Sequence, residues 1–597
     1  MRLHTLSLAM ASVGLMAACG GGGGDSAPAP APSGPTQITL TGVVAKGAAL
    51  AGAAVTAKCA TGTGTATASG TGSYTITITS GALPCVLEAV GTGADAGLEL
   101  HSVATGTGST ATANITPVTE LLVAQLTGQN PSDFMDAASA STLSTTVTTT
   151  NMASAKTEVI ATLSAAGLDT TALTSADMVS GTLQAGSGTG YDGVLDALGT
   201  ALSTSNTTLA TLTQVVATTA AATQAGNSAQ PPAETGQPLP AGLMLLPKAA
   251  NCDSLRSTNY RLIKIAKSVS TADGAPITTI ENMAIDAAAL TATFGPGDVM
   301  QMTANGTCRY TLPNSGEAMV APSGVIVVRA LVGADDDTVA VEHRNTYRMM
   351  IALPAQDIPL ADLAATWNFI GMNAADTGPT YVPFDGTLAL NATGGVSGMR
   401  CFDDPLGTAD ASCTAVADAP PALSVNSAGG FNLSSTDPAD PWVDRLWAFK
   451  GGNGQMMLLT INTLGEFAIG TRQHAVPLPA ANDATNSLTM IAGQTLQSTA
   501  SGGQITSAAH TITSVDTATK TVVRNSSTDG AAAVQQTLVY DSARTGYMVR
   551  NASTGVRAFK GLPIQGLGLT AFYLPNTATA PANNSGFALS ARYAVAP

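Results

Sequence analysis

Charge and aromatic rings are both scarce in this chain of 597 residues: 11% of it is charged and 4% aromatic. With few rings, a core must be built from Ala, Val and Leu, so stability comes from many modest contacts and backbone ladders rather than aromatic anchors. The few charges are unbalanced, with 24 Lys and Arg against 39 Asp and Glu, a net −15. Such a field repels phosphate backbones, so no nucleic-acid partner is expected. Familiar chemistry is also missing: there is no G-x-S-x-G elbow, no H-E-x-x-H, no phosphate loop and no C-x-x-C-H, and only five histidines. These absences weigh against common hydrolases and metalloenzymes. No catalytic residue, metal site or cofactor is assigned, and the ligand-binding residues stay open.

The longest apolar run near the start, Leu6 to Met16, is shorter than the roughly 20 residues a spanning helix needs. It follows Arg2 and His4 and precedes small residues, the three-part pattern of a secretory signal over 1–18. The signal ends in Leu15-Met16-Ala17-Ala18-Cys19, which resembles the lipobox of bacterial lipoproteins, with Met16 standing three places before the cysteine. The resemblance implies that Cys19 receives a diacylglycerol and becomes the new first residue. Gly20, in place of an aspartate, implies export to the outer membrane, facing the periplasm or the cell surface. One to three acyl chains, at about 0.8 kcal/mol per buried methylene, would anchor the chain to that membrane. Residues 19–36, CGGGGGDSAPAPAPSGPT, are then the lipidated cysteine and a flexible tether.

Removing Cys19 leaves six cysteines in three neighbouring pairs: Cys59 with Cys85, Cys252 with Cys308, and Cys401 with Cys413. No C-x-x-C and no nearby histidine supports zinc, so disulfides in an oxidising compartment are the expectation, although six cysteines allow 15 connectivities.

The fold expected is multidomain and mainly β, with a helical middle segment: a small β-sandwich, an α-helical adaptor, then an antiparallel β-barrel or β-sandwich region. Over 37–114, period-two runs of Thr, Val, Ile and Tyr alternate with glycine turns. The stretches Gly42-Val43-Val44, Ala51-Gly52-Ala53-Ala54-Val55 and Gly72-Ser73-Tyr74-Thr75-Ile76-Thr77-Ile78 resemble the carboxypeptidase-regulatory-like, transthyretin-like β-domain, which implies a non-catalytic spacer or adhesive module. From 115 to 224 the pattern turns helical. Thr116, Pro117 and Glu120 mark a helix start and Gly128 its stop, with further helices expected at 131–142, 152–166 and 190–204 and a Thr/Ala-rich run to 224. This part resembles the all-helical segment that follows such a β-domain in many proteobacterial surface lipoproteins. Asp192 and Asp196, four apart, read as a solvated face or a cap, with a hard-cation or acid–base pair as the alternative.

Residues 225–247 read as a linker and 248–597 as antiparallel and β-rich, with a split into two subdomains near 360–370 or 480. Hairpin-like stretches at 325–344, 456–473 and 537–551 each end near an arginine, and each leads to a Leu-Pro. Their uneven spacing argues against a propeller. Glu342-His343-Arg344 reads as a rim ion pair, Asp335-Asp336-Asp337 as a solvated turn, and Trp367, Trp442, Trp447 and Phe449 as core plugs. Three functions remain open. The first is a non-catalytic envelope protein with a binding, structural or adhesive role and a protein or polymer partner. The second is a hydrolase of polymeric or hydrophobic substrates using carboxylates such as Asp335, Asp403 or Asp404. The third is a small hydrophobic-ligand binder in a barrel cavity, suggested by the echo of a lipocalin Gly-x-Trp at Ala365-Thr366-Trp367.

Overall fold

The computed structural model describes residues 37–594 apart from 225–237, 268–279, 335, 337–338, 342–343, 375–380, 403–408, 417, 440, 494–496, 499–504, 555, 565 and 576–585. Seven strands between Gln37 and Thr112 form two stacked sheets of three and four strands. In Ser73–Thr79 every second residue is buried, so Tyr74, Ile76 and Ile78 point inward as period two requires. Cys59 and Cys85 face each other across the Ala54–Thr61 and Ala82–Val90 pair and are disulfide-bonded.

Helix Pro117–Thr127 starts and stops on the residues that mark it in the sequence. The Thr116 side chain accepts from the Thr119 N–H, and Gly128 takes the left-handed conformation at φ 66°. Glu120, however, does more than meet the helix dipole. It is buried, and its carboxylate accepts from the His101 backbone N–H at 2.6 Å and meets His101 Nδ1 at 2.8 Å. Sandwich and helices therefore share one continuous core, from Ile38 to Ala217. The single helix expected at 131–142 is two, Pro131–Ala137 and Ala140–Thr146, because Ser139 caps a new start. Within the span read as a linker, Leu239, Leu243 and Met244 pack on Val215 of helix Leu209–Gln224. Residues 225–237 lie outside the described set.

From Lys248 onward a two-stranded pair, Lys248–Ala249 with Cys252–Arg256, precedes three larger antiparallel sheets. The first, ten-stranded, runs from Asn259 to Pro354 and adds Gln497–Ser498 on Tyr347–Pro354. The second is eight-stranded, from Ala365 to Arg472, and curls until its edges meet: Gly395 bridges Ala422, and the Leu423 N–H donates to the Gly394 carbonyl at 2.8 Å. The third, from Ala484 to Ala594, is a closed eight-stranded barrel, sealed where Ala484–Gly493 pairs with Gly586–Ala594. One apolar cluster joins all three, with Ile263 and Ile351 from the first, Phe449 and Ile469 from the second, and Leu589 and Ala571 from the third. Phe467 and Phe587 meet edge to face at 4.9 Å across that joint. The other disulfides are Cys252–Cys308 and Cys401–Cys413.

The expected hairpin at 325–344 is different. Ile326–Leu331 pairs with Tyr347–Pro354, and the described residues between them form no second strand. Asp336 is no solvated turn tip, because Lys264 holds it at 2.5 Å.

Candidate functional site: a cationic barrel lumen

The two eight-stranded units differ in what fills them. Inside the Ala365–Arg472 unit lie Trp367, Phe369, Leu388, Leu390, Leu423, Phe431, Leu446 and Leu458, all buried. Trp367 donates its indole N–H to the Leu363 carbonyl at 2.9 Å. The fit leaves no room for a methyl group at Gly386 or Gly470: a Cβ there would sit 2.7 Å from the Phe402 ring or 2.6 Å from Phe369. Trp367 is thus a core plug, and the cavity that its lipocalin echo suggested lies elsewhere. Trp447 and Phe449 are buried as expected, whereas Trp442 is 38% exposed.

The closed barrel encloses a cavity of about 320 Å³, within the range of small-molecule sites. Inward positions along its strands alternate by two, as in Ser487, Thr489 and Ile491, then Arg524, Ser526 and Thr528, then Gln536, Leu538 and Tyr540. One end is stoppered by Val476 in an apolar cluster with Ile512, Val522, Leu538 and Tyr540. Asp541 fixes that stopper by accepting from the Val476 N–H at 3.0 Å and the Gly546 N–H at 2.8 Å.

Four arginines line the cavity, Arg524, Arg550, Arg557 and Arg592, and no Asp or Glu is among its described lining residues. Gln536 Oε1 accepts from Arg524 Nε at 3.1 Å, Arg524 Nη2 at 2.9 Å and Arg550 Nη1 at 3.0 Å, so one neutral oxygen orients two cations. Burial and mutual repulsion bring the Arg524 and Arg550 guanidinium groups down to about 10. They remain charged at neutral pH. His510 hydrogen-bonds Ser487 Oγ through Nε2 at 2.9 Å. Burial, with Arg524, Arg592 and Arg550 nearby, pushes its imidazole down to about 3, so it is neutral. Its Nδ1, like Ser526 Oγ, is buried without a hydrogen-bond partner in the structure. Apolar side chains complete the wall, among them Leu538, Met548 and Phe559.

The residues singled out in the sequence do not converge here. Asp335, Glu342, His343, Asp403, Asp404 and Cys19 lie outside the described residues. Arg344 donates Nε to the Val339 carbonyl at 2.9 Å. Asp192 is a buried cap for the turn before its helix, accepting from the Gly188 N–H at 2.7 Å and the Gly186 N–H at 3.2 Å, while Asp196 is exposed. A carboxylate pair does occur elsewhere, where burial and the Glu466 charge raise Asp444 to about 7. Glu466 there accepts from the Ala374 N–H at 2.9 Å and Asn462 at 2.5 Å, as a turn brace. Among the described residues no three His, Cys, Asp or Glu gather to hold a metal. Of the lumen arginines only Arg550, at the end of the 537–551 stretch, carried a sequence signal.

Comparison with known proteins adds little. The sequence matches no family model and no curated protein. Similar solved structures include the transferrin binding protein B double mutant from Haemophilus parasuis Hp5, at 9% identity and TM-score 0.18 over 57% of this chain and 76% of that one. Another is isotype 1 transferrin binding protein B from serogroup B Neisseria meningitidis, at 10% identity and TM-score 0.17 over 53% of this chain and 65% of that one. Likeness at this level carries no functional argument, which rests on the geometry alone.

Proposed function

We propose that this is a lipid-anchored, non-catalytic binding protein of the cell envelope whose C-terminal barrel holds a small molecule. The observation that carries the reading is the closed barrel over 484–594 with a ligand-sized cavity lined by hydrogen-bonding groups and, among the described residues, no carboxylate. Glycoside and peptide hydrolysis by paired acids needs such carboxylates at the substrate, and the neutral His510 is partnered by Ser487 and by no carboxylate among the described residues. Capture without turnover is the simpler use. The anchored address is supported by Leu15-Met16-Ala17-Ala18-Cys19 and by the six other cysteines, which are bonded to one another. In this reading 19–36 tethers a spacer of transthyretin-like type fused to helices, and the β-rich region presents the lumen. A protein or polymer partner would meet the outer surface.

Two measurements test the proposal. Cys19→Ser should abolish acylation and release the chain from membranes; continued membrane association would remove the anchor. Small molecules extracted from the purified full chain should include one that is lost from a Thr489→Trp variant, in which an indole fills the lumen. Identical extracts from folded forms of both proteins would end the lumen-carrier reading.

A further inference from the structure

We infer that the lumen is shaped for an amphiphilic oxyanion, with a carboxylate or phosphate group held by Arg524, Arg550 and His510 and an apolar body along Leu538, Met548 and Phe559. This rests on the reading of the lumen as a ligand site and names the chemistry of its occupant. Three observations carry it. The first is charge: a chain of net −15 directs four guanidinium groups into one cavity whose described lining holds no acid. Like charges so placed repel one another, and a bound anion relieves the repulsion. The second is Gln536. A glutamate there would neutralise the arginines from within, whereas the neutral amide oxygen accepts three of their N–H groups, fixes both forks and leaves their charge unspent.

The third is a pair of polar groups aimed into the cavity with nothing to bond. His510 and Ser526 are 8% and 3% exposed, yet Nδ1 and Oγ have no partner in the structure. Buried polar groups are ordinarily satisfied, so each calls for an occupant. In the tautomer where Ser487 donates to Nε2, the neutral imidazole carries its proton on Nδ1 and offers a donor to an occupant, as the Ser526 hydroxyl does in either case. The guanidinium groups can only donate, and the hydroxyl and, in that tautomer, the imidazole N–H can donate beside them. They match a ligand head made of acceptors. The neighbouring Met548 and Phe559 walls match an apolar body rather than a free inorganic ion.

The test is calorimetric titration of the full chain with octanoate, octyl phosphate, octanol and inorganic phosphate at low salt. Octanoate or octyl phosphate should bind, more weakly at high salt, and both octanol and inorganic phosphate should bind about tenfold more weakly or worse. Gln536→Glu should cut that binding by about tenfold or more and raise the melting temperature, because the new carboxylate occupies the anion's place. Lys156→Gln, which removes one charge far from the barrel, should leave binding unchanged. Octanol bound as tightly as octanoate would overturn the oxyanion assignment while leaving a lumen site standing. Inorganic phosphate bound as tightly as octyl phosphate would overturn the apolar half. Binding of none of the four overturns the ligand chemistry, and the extraction with Thr489→Trp then decides separately whether the lumen carries anything. Should Gln536→Glu fail to fold, the His510 imidazole resonance of the unmodified protein decides: it must shift during titration with octyl phosphate, and a constant position at saturation rejects the assignment.

Discussion

Two eight-stranded units sit side by side in this chain and put the same strand number to opposite uses. Eight strands leave an interior just wide enough either to be filled by side chains or to hold one small ligand. The Ala365–Arg472 unit takes the first course, with Trp367 and Phe369 inside and glycines at 386 and 470 making room for rings. The Ala484–Ala594 barrel takes the second, spending inward positions on Arg524, Ser526, Gln536, Arg550 and Arg592. Both share apolar outer walls against the common joint, so what separates them is the choice of residue on one face of each strand. One interior is packed solid and the other encloses a cavity.

The largest effect that separates them is truncation of a ring. Trp367→Ala empties a packed interior and should lower unfolding free energy by about 3–5 kcal/mol. Phe559→Ala merely enlarges an existing cavity and should cost about half as much or less. Urea unfolding of the two variants checks the difference, and equal losses would mean that the lumen is packed like a core. Next in size is Gly386→Ala, where the added methyl meets the Phe402 ring. Overpacking there should cost about 1–3 kcal/mol, read from the denaturation midpoint.

Much of the architecture was legible in the sequence. Thr116-Pro117 and Gly128 bracket their helix because caps are local chemistry, and the Tyr74-Ile76-Ile78 alternation gives a half-buried strand because period two is local as well. Closure of the barrel was not legible, since it depends on Ala484–Gly493 finding Gly586–Ala594 from the far end of the segment. The lumen was hidden for a related reason. Arginine at alternate strand positions reads as a solvent face, and only closure turns that face inward. The Asp335-Asp336-Asp337 run misled in the opposite direction, because Lys264, distant in sequence, takes up Asp336. Glu120 likewise read as a helix-start acid, while its partner His101 lies on a strand of the sandwich.

Acid offers a third way to tell the units apart. In the folded lumen His510 is depressed from 6.5 to about 3, so between those values the unfolded chain binds the extra proton and the native state does not. Stability from this group is therefore complete above pH 6.5 and is lost as pH falls toward 3. At pH 5.5, one unit below the unfolded value, the loss is about 1.4 kcal/mol relative to pH 8. His510→Gln should flatten that part of the melting curve against pH, while Trp367→Ala should leave its slope unchanged. A slope that survives His510→Gln would place the titrating group outside the lumen.

The smallest effect has the opposite sign and bears most directly on what the second barrel is for. Arg524 is held among Arg550, Arg592 and a neutral glutamine, with no acid among the described residues of the cavity wall. Replacing it with methionine keeps an unbranched apolar stem, shorter by the guanidinium end, and removes one repelling charge, at the cost of the hydrogen bonds to Gln536. If the arginines were structural, Arg524→Met would destabilise the protein as any broken network does. If they are held in readiness for an anion, the ligand-free protein should gain about 1 kcal/mol, the usual scale for relieving a functional site, and lose affinity for the oxyanion. Thermal melting with and without octyl phosphate separates the cases: the variant should melt higher alone, and the ligand should raise the melting temperature of the unmodified protein more than that of the variant.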